Sequence, residues 1–117
     1  MATEPTPWRK AAATLRPGSR TVVYAPEELE SILELARRGF RLLIAHRDPG
    51  FSARCREELR KEGLASQMMG AHELRPSRPL TLAVEFYDLF LTFHREEPDE
   101  ESVRPFLAPQ GRFLRLI

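Results

Sequence analysis

Thr21-Val22-Val23-Tyr24-Ala25-Pro26-Glu27-Glu28-Leu29-Glu30-Ser31-Ile32-Leu33-Glu34-Leu35-Ala36-Arg37-Arg38-Gly39 is the stretch that decides the fold. It opens with a β-branched and aromatic run, Thr21–Ala25, which predicts a short buried strand. Pro26 then suits the first position of a helix, and Glu27 and Glu28 favour its electropositive end. Leu29, Ile32, Leu33 and Ala36 recur at helical spacing and form one apolar face. Arg37 and Arg38 favour the opposite end of the helix dipole, and Gly39 is placed to close the helix in a left-handed conformation.

Working outward, Arg41–Ala45 is a second strand, apolar in its middle as a strand covered on both faces requires. His46–Gly50 follows as a loop, Ser52 is the expected N-cap of a helix running to about Glu62, and Gly63 ends it. Cys55 and Leu59 share a narrow apolar stripe on that helix, which marks Cys55 as a core residue rather than a nucleophile. Its bases Arg54, Arg56, Arg60 and Lys61 alternate with Glu57, Glu58 and Glu62 as a salt-bridged solvated face. A third strand is expected over Ala65–Met69 and a loop over residues 70–79, where Pro76 and Pro79 forbid a long helix. Leu80–Phe93 admits two readings, a short helix before a strand Asp88–Phe93 or two strands, because its alternation changes phase near Tyr87. An acidic segment, Glu96–Glu101, leads into a short helix. Pro109-Gln110-Gly111 is an expected turn, and Arg112–Ile117 a last strand. Leu33, Leu43, Leu59 and Phe90 are expected in the core.

Strand alternating with helix implies βαβ crossovers. The fold class is therefore α/β: a small three-layer Rossmann-like domain over residues 21–117, with a mainly parallel sheet of about five strands. Residues 1–20 form an N-terminal arm, in which Trp8–Leu15 has helical character before Pro17-Gly18. Its bases Arg9, Lys10, Arg16 and Arg20 read as solvated charges or as a nucleic-acid-binding arm.

The 117 residues suit one domain. Eighteen basic against seventeen acidic side chains leave a net charge of +1, so nothing global draws nucleic acid or an acidic membrane. The single cysteine makes no internal disulfide, and no apolar run nears the roughly 20 residues that span a bilayer. With no signal peptide, a cytoplasmic protein is expected. Sixteen of the basic residues are Arg, fourteen of the acids are Glu and Asn is absent, a balance that fits a thermophile or a GC-rich genome.

Three stretches carry a resemblance. Gly39-Phe40-Arg41-Leu42-Leu43-Ile44-Ala45-His46 through Leu64, Tyr87-Asp88-Leu89-Phe90-Leu91-Thr92-Phe93, and Leu107-Ala108-Pro109-Gln110-Gly111-Arg112-Phe113-Leu114 resemble the second, fourth and fifth strand regions of class I S-adenosylmethionine-dependent methyltransferases. The resemblance implies that fold trimmed after its fifth strand, without its final antiparallel hairpin. It also implies a candidate pocket at the strand ends, made by Ala25, His46, Asp48, Thr92 and His94.

The departures from the family bear on function. Its Gly-x-Gly-x-Gly turn is replaced by Ala25-Pro26-Glu27-Glu28, where Pro26 removes an N–H and the glutamates add negative charge. Its ribose-binding acid at the end of strand two is replaced by His46, with Asp48 two residues on. Thr92-Phe93-His94-Arg95 stands in place of its catalytic motif after strand four. Replacing both Ala25 and Pro26 with glycine is expected to destabilise the fold without creating a cofactor site. His46, Asp48 and His94, with Glu28, form a candidate acid–base or metal cluster, yet no metal-ligand spacing supports a metal.

The implied function is a non-catalytic methyltransferase-like domain acting through protein–protein association, with no cofactor, although S-adenosylmethionine stays possible. A homodimer through the apolar edge strand Arg112–Ile117 is expected. An enzyme with a rebuilt site and a nucleic-acid-associated accessory module stay open as alternatives.

Overall fold

A computed structural model of the chain describes Lys10 and residues 13–116. The expected helix over Trp8–Leu15 and most of the arm therefore lie outside the described residues. The elements are β1 (Arg20–Tyr24), α1 (Leu29–Arg37), β2 (Arg41–His46), α2 (Pro49–Lys61), β3 (Met68–Glu73), β4 (Tyr87–Thr92), α3 (Glu100–Val103) and β5 (Leu107–Arg115), with 3-10 turns at Ala65–Gln67 and Arg104–Phe106. The five strands lie in the order β3-β2-β1-β4-β5, and every neighbouring pair is parallel. Among the described residues, no helix is long and apolar enough to cross a membrane.

The sheet is covered unequally. On one face Val23, Leu42, Ile44, Leu89 and Leu91 pack against Ile32, Leu33 and Ala36 of α1 and Phe51, Cys55 and Leu59 of α2. On the other, Val22, Tyr24, Ala45 and Phe90 pack against Val103 of α3 and against Leu80, Leu82 and Phe86 from the irregular chain between β3 and β4. That chain is fastened rather than helical: Glu85 N–H donates to Pro105 O at 2.9 Å and Phe86 N–H to Phe106 O at 3.0 Å. Leu33, Leu59 and Phe90 are buried as expected, whereas Leu43 points to the thinner face and is only partly buried.

Both helix endings follow the sequence. Gly39 (φ +91°) and Gly63 (φ +73°) take left-handed conformations. Phe40 N–H then reaches back to Leu35 O at 3.2 Å and Leu64 N–H to Leu59 O at 2.8 Å, which satisfies carbonyls the helices leave open.

The beginnings differ from expectation. α1 starts at Leu29 after Glu28, whose side chain makes no cap, so Pro26 lies in the preceding turn. α2 starts at Pro49, and its N-cap is Asp48 rather than Ser52: the Asp48 carboxylate accepts from Gly50 N–H at 2.8 Å. Ser52 instead sits buried within the first turns.

Three strand boundaries also move. Ala65–Gln67 is a 3-10 turn and β3 occupies Met68–Glu73, set by its parallel register with Leu42–His46 rather than by local propensity. Leu80–Phe86 forms neither a helix nor a strand, and β4 begins at Tyr87. Pro109-Gln110-Gly111 is no turn before β5 but an outward excursion within it. Tyr87 pairs with Leu107 and Leu89 with Arg112, so β5 uses five residues where β4 uses two.

Candidate functional site

The chain order reverses between β1 and β4, and the carboxyl ends of strands at such a point are where open α/β sheets bind ligands. A cavity of about 1600 Å³ opens there. Tyr24, Ala25 and Pro26 line it from the end of β1, His46, Arg47 and Asp48 from the end of β2, Phe51 and Arg54 from α2, and His94, Glu96 and Glu97 from the loop after β4. Four of the five candidate residues, Ala25, His46, Asp48 and His94, are thus brought together. Thr92 is fully buried and does not line the cavity.

Each polar candidate is engaged in holding its own loop. His46 Nδ1 accepts from Asp48 N–H at 2.9 Å, and its ring stacks on Phe51 with centroids 4.4 Å apart and planes 13° apart. The Arg54 guanidinium lies 5.7 Å from the Phe51 ring centre. Asp48 Oδ1 caps α2. His94 Nδ1 accepts from Glu96 N–H at 3.1 Å and Glu97 N–H at 2.9 Å. An imidazole nitrogen that accepts carries no proton, so these hydrogen bonds place the ring N–H of each histidine at Nε2. Thr92 donates its hydroxyl proton to Glu97 O at 2.7 Å and accepts from His94 N–H at 3.1 Å.

Two contributors were not foreseen. Arg115, from β5, donates to His94 O at 2.8 Å and to Pro98 O at 2.5 Å, which clamps residues 94–98 over the sheet end. Only tertiary pairing of β4 with β5 brings these groups together, so no local pattern signals it. Tyr24 lies near the Glu97 carboxylate. Burial first, and then that carboxylate, hold its phenol above the ordinary range, while Arg47 acts in the opposite sense. An aromatic residue with a polar tip at the end of β1 was the available signal. At the opposite end of the sheet, Asp88 accepts from Arg20 N–H at 2.8 Å, and the Arg20 guanidinium sits 4.2 Å from the Phe86 ring centre. The Tyr87-Asp88 pair is structural here.

The residues at the positions where the resemblance would have the chain hold S-adenosylmethionine depart from the family's pattern. Ala25 adopts φ +51°, the left-handed conformation a glycine would take, and its N–H is spent on Ala45 O at 2.8 Å. Pro26 has no N–H to give. At the end of β2, where hydroxyl donors of a ribose need an acceptor, His46 has its accepting nitrogen occupied and Asp48 uses Oδ1 to cap its own helix. Among the described residues, no group of three or more His, Cys, Asp or Glu side chains is arranged to hold a metal ion. Cys55 is buried in the core, where burial pushes its thiol up to about 11.

No protein-family model matches the chain, and no curated protein matches it in sequence. Solved structures do match in shape. A methyltransferase from Geobacter sulfurreducens in complex with S-adenosyl-L-homocysteine superposes with a TM-score of 0.72 at 17% identity, over 92% of this chain and 45% of that one. Geranyl diphosphate methyltransferase in complex with S-adenosylmethionine gives 0.71 at 11% identity, over 91% and 44%. An O-methyltransferase from Thermotoga maritima gives 0.68 at 17%, over 98% and 45%. The fold is therefore that of the S-adenosylmethionine-dependent methyltransferases. The chain spans less than half of the length of these three solved chains.

Proposed function

We propose that this chain is a non-catalytic methyltransferase-like domain that acts by associating with a protein partner. One observation carries the reading: His46, Thr92 and His94 spend their accepting atoms on the loops that bear them, and Asp48 spends Oδ1 in the same way. A general base or cofactor ligand must keep a free lone pair pointed at its substrate.

Calorimetric titration with S-adenosylmethionine and S-adenosyl-L-homocysteine tests it. No binding heat at millimolar ligand is the expected result, and micromolar affinity for either overturns the reading.

A second reading, an enzyme with a rebuilt site, draws on the open cavity at the strand ends. The Nε2–H groups of His46 and His94 leave it able to donate hydrogen bonds where the family accepts them. Methyl transfer to any acceptor by the purified chain would select it.

A further inference from the structure

The reading above requires a partner, and the outer edge of β5 specifies one. Leu116 N–H donates inward to Thr92 O at 3.0 Å. Backbone direction alternates along a strand, so residues 112, 114 and 116 turn their N–H and C=O groups toward β4. Phe113 and Arg115 turn theirs outward. β5 ends the strand order, so no strand among the described residues receives those groups. Thr14 meets β5 through the Arg112 side chain, at 3.1 Å.

We infer that β5 pairs antiparallel with β5 of a second copy about a two-fold axis through Leu114. This rests on the association proposed above and names the partner. In that register Phe113 faces Arg115 of the other copy, and the two outward residues on each side exchange backbone hydrogen bonds in both directions. Leu114 faces its own symmetry mate, and Arg112 faces Leu116.

Charge selects this register over its neighbours. An axis through Arg115 sets two guanidinium groups opposite each other, which is destabilising. An axis through Phe113 matches Arg115 with Gly111, inside the excursion that displaces β5 from the regular ladder. The Leu114 axis uses only the regular stretch. It also places each Arg115, already 5.5 Å from its own Phe113 ring centre, across from the Phe113 of the partner strand. Its guanidinium is fixed by the carbonyls of His94 and Pro98, so little side-chain freedom is lost on pairing. Leu114, partly buried on the helix-bearing face, gains its own symmetry mate as an apolar cross-strand neighbour.

Cysteine pairing tests the register directly. Residues opposite each other without mutual hydrogen bonds lie about 4.5 Å apart at Cα, within disulfide range. Cys55 is buried and does not compete. On mild oxidation of the full chain, Leu114→Cys is expected to yield a covalent dimer and Arg112→Cys alone to stay uncrosslinked. The double variant Arg112→Cys with Leu116→Cys crosslinks in the same register, which keeps the test usable if Leu114→Cys does not fold. Wild type should sediment at twice the chain mass at micromolar concentration.

A wild-type monomer at that concentration overturns the inference. So does a dimer in which Arg112→Cys crosslinks as readily as Leu114→Cys. Titration of the same protein with S-adenosylmethionine separates the two claims: a dimer that binds it retains this pairing and loses the proposed function.

Discussion

Thr21 sits at the centre of the sheet, fully buried, with a hydroxyl that has no hydrogen-bond partner among the described residues. A buried hydroxyl without a partner costs free energy that an apolar isostere does not. Thr21→Val is therefore expected to stabilise the fold by about 1 kcal/mol, read as a higher urea midpoint with an unchanged slope. A lower midpoint would show that the hydroxyl has a partner. Ala25 makes a related case. Glycine at positions 25 and 26 was expected to destabilise through added freedom in the unfolded chain, but φ +51° reverses the sign at position 25. Left-handed backbone costs a residue with a Cβ about 1 kcal/mol, so Ala25→Gly alone should raise stability by up to that amount in the same melts. A destabilised variant would mean that the Ala25 methyl packs well enough to outweigh the strain. Such conformations are invisible in sequence, because alanine carries no mark of the dihedral angles its neighbours impose.

Among the elements, those defined by local chemistry were legible and those defined by tertiary pairing were not. α1 announced itself through its apolar spacing and Gly39. The start of α2 was misplaced by four residues because Asp48 and Ser52 are both good N-caps, and Pro49 at the first helical position decides between them. The bounds of β3 follow from its partner β2, and the excursion in β5 follows from β4, so neither could be read locally. That excursion brings Gly111 against the chain: a Cβ there would lie 2.7 Å from Tyr87 O and 3.0 Å from Ala108 O. Gly111→Ala is expected to cost about 1–3 kcal/mol and to expose the β4–β5 amides to hydrogen exchange. Wild-type protection in that variant would contradict the geometry. α1 and α2 are also joined on the surface, where Arg37 donates to both Glu62 oxygens at 2.8 Å and to Glu30 at 3.0 Å. The hydrogen bonds from Arg37 hold the Glu62 carboxyl below its ordinary range. A depressed carboxylate contributes stability that is fully present above its unfolded-state value and is lost as pH falls from there through its lower folded-state value. The stability gap between wild type and Arg37→Met should therefore close on acidification, and also in high salt, since the groups are exposed. A gap that persists in acid would show that Arg37 acts through packing rather than charge.

At the scale of the molecule, the fold was legible because strand and helix alternate, but the state of its site was not. Sequence placed Ala25, His46, Asp48 and His94 at the strand ends and identified the missing glycine turn. It gave no means of seeing that both imidazoles turn Nδ1 back onto their own loops, or that Arg115 reaches across from β5 to clamp residues 94–98. Those hydrogen bonds underlie the proposal that the cavity does not bind the family's cofactor. They are also directly measurable. A long-range proton–nitrogen correlation spectrum of the histidine side chains reports which ring nitrogen carries the proton. At neutral pH, His46 and His94 are expected as Nε2–H tautomers with Nδ1 shifted as a hydrogen-bond acceptor, and saturating S-adenosyl-L-homocysteine should leave both unmoved. A proton on Nδ1 of either ring, or a shift of both rings on adding the ligand, would contradict the account.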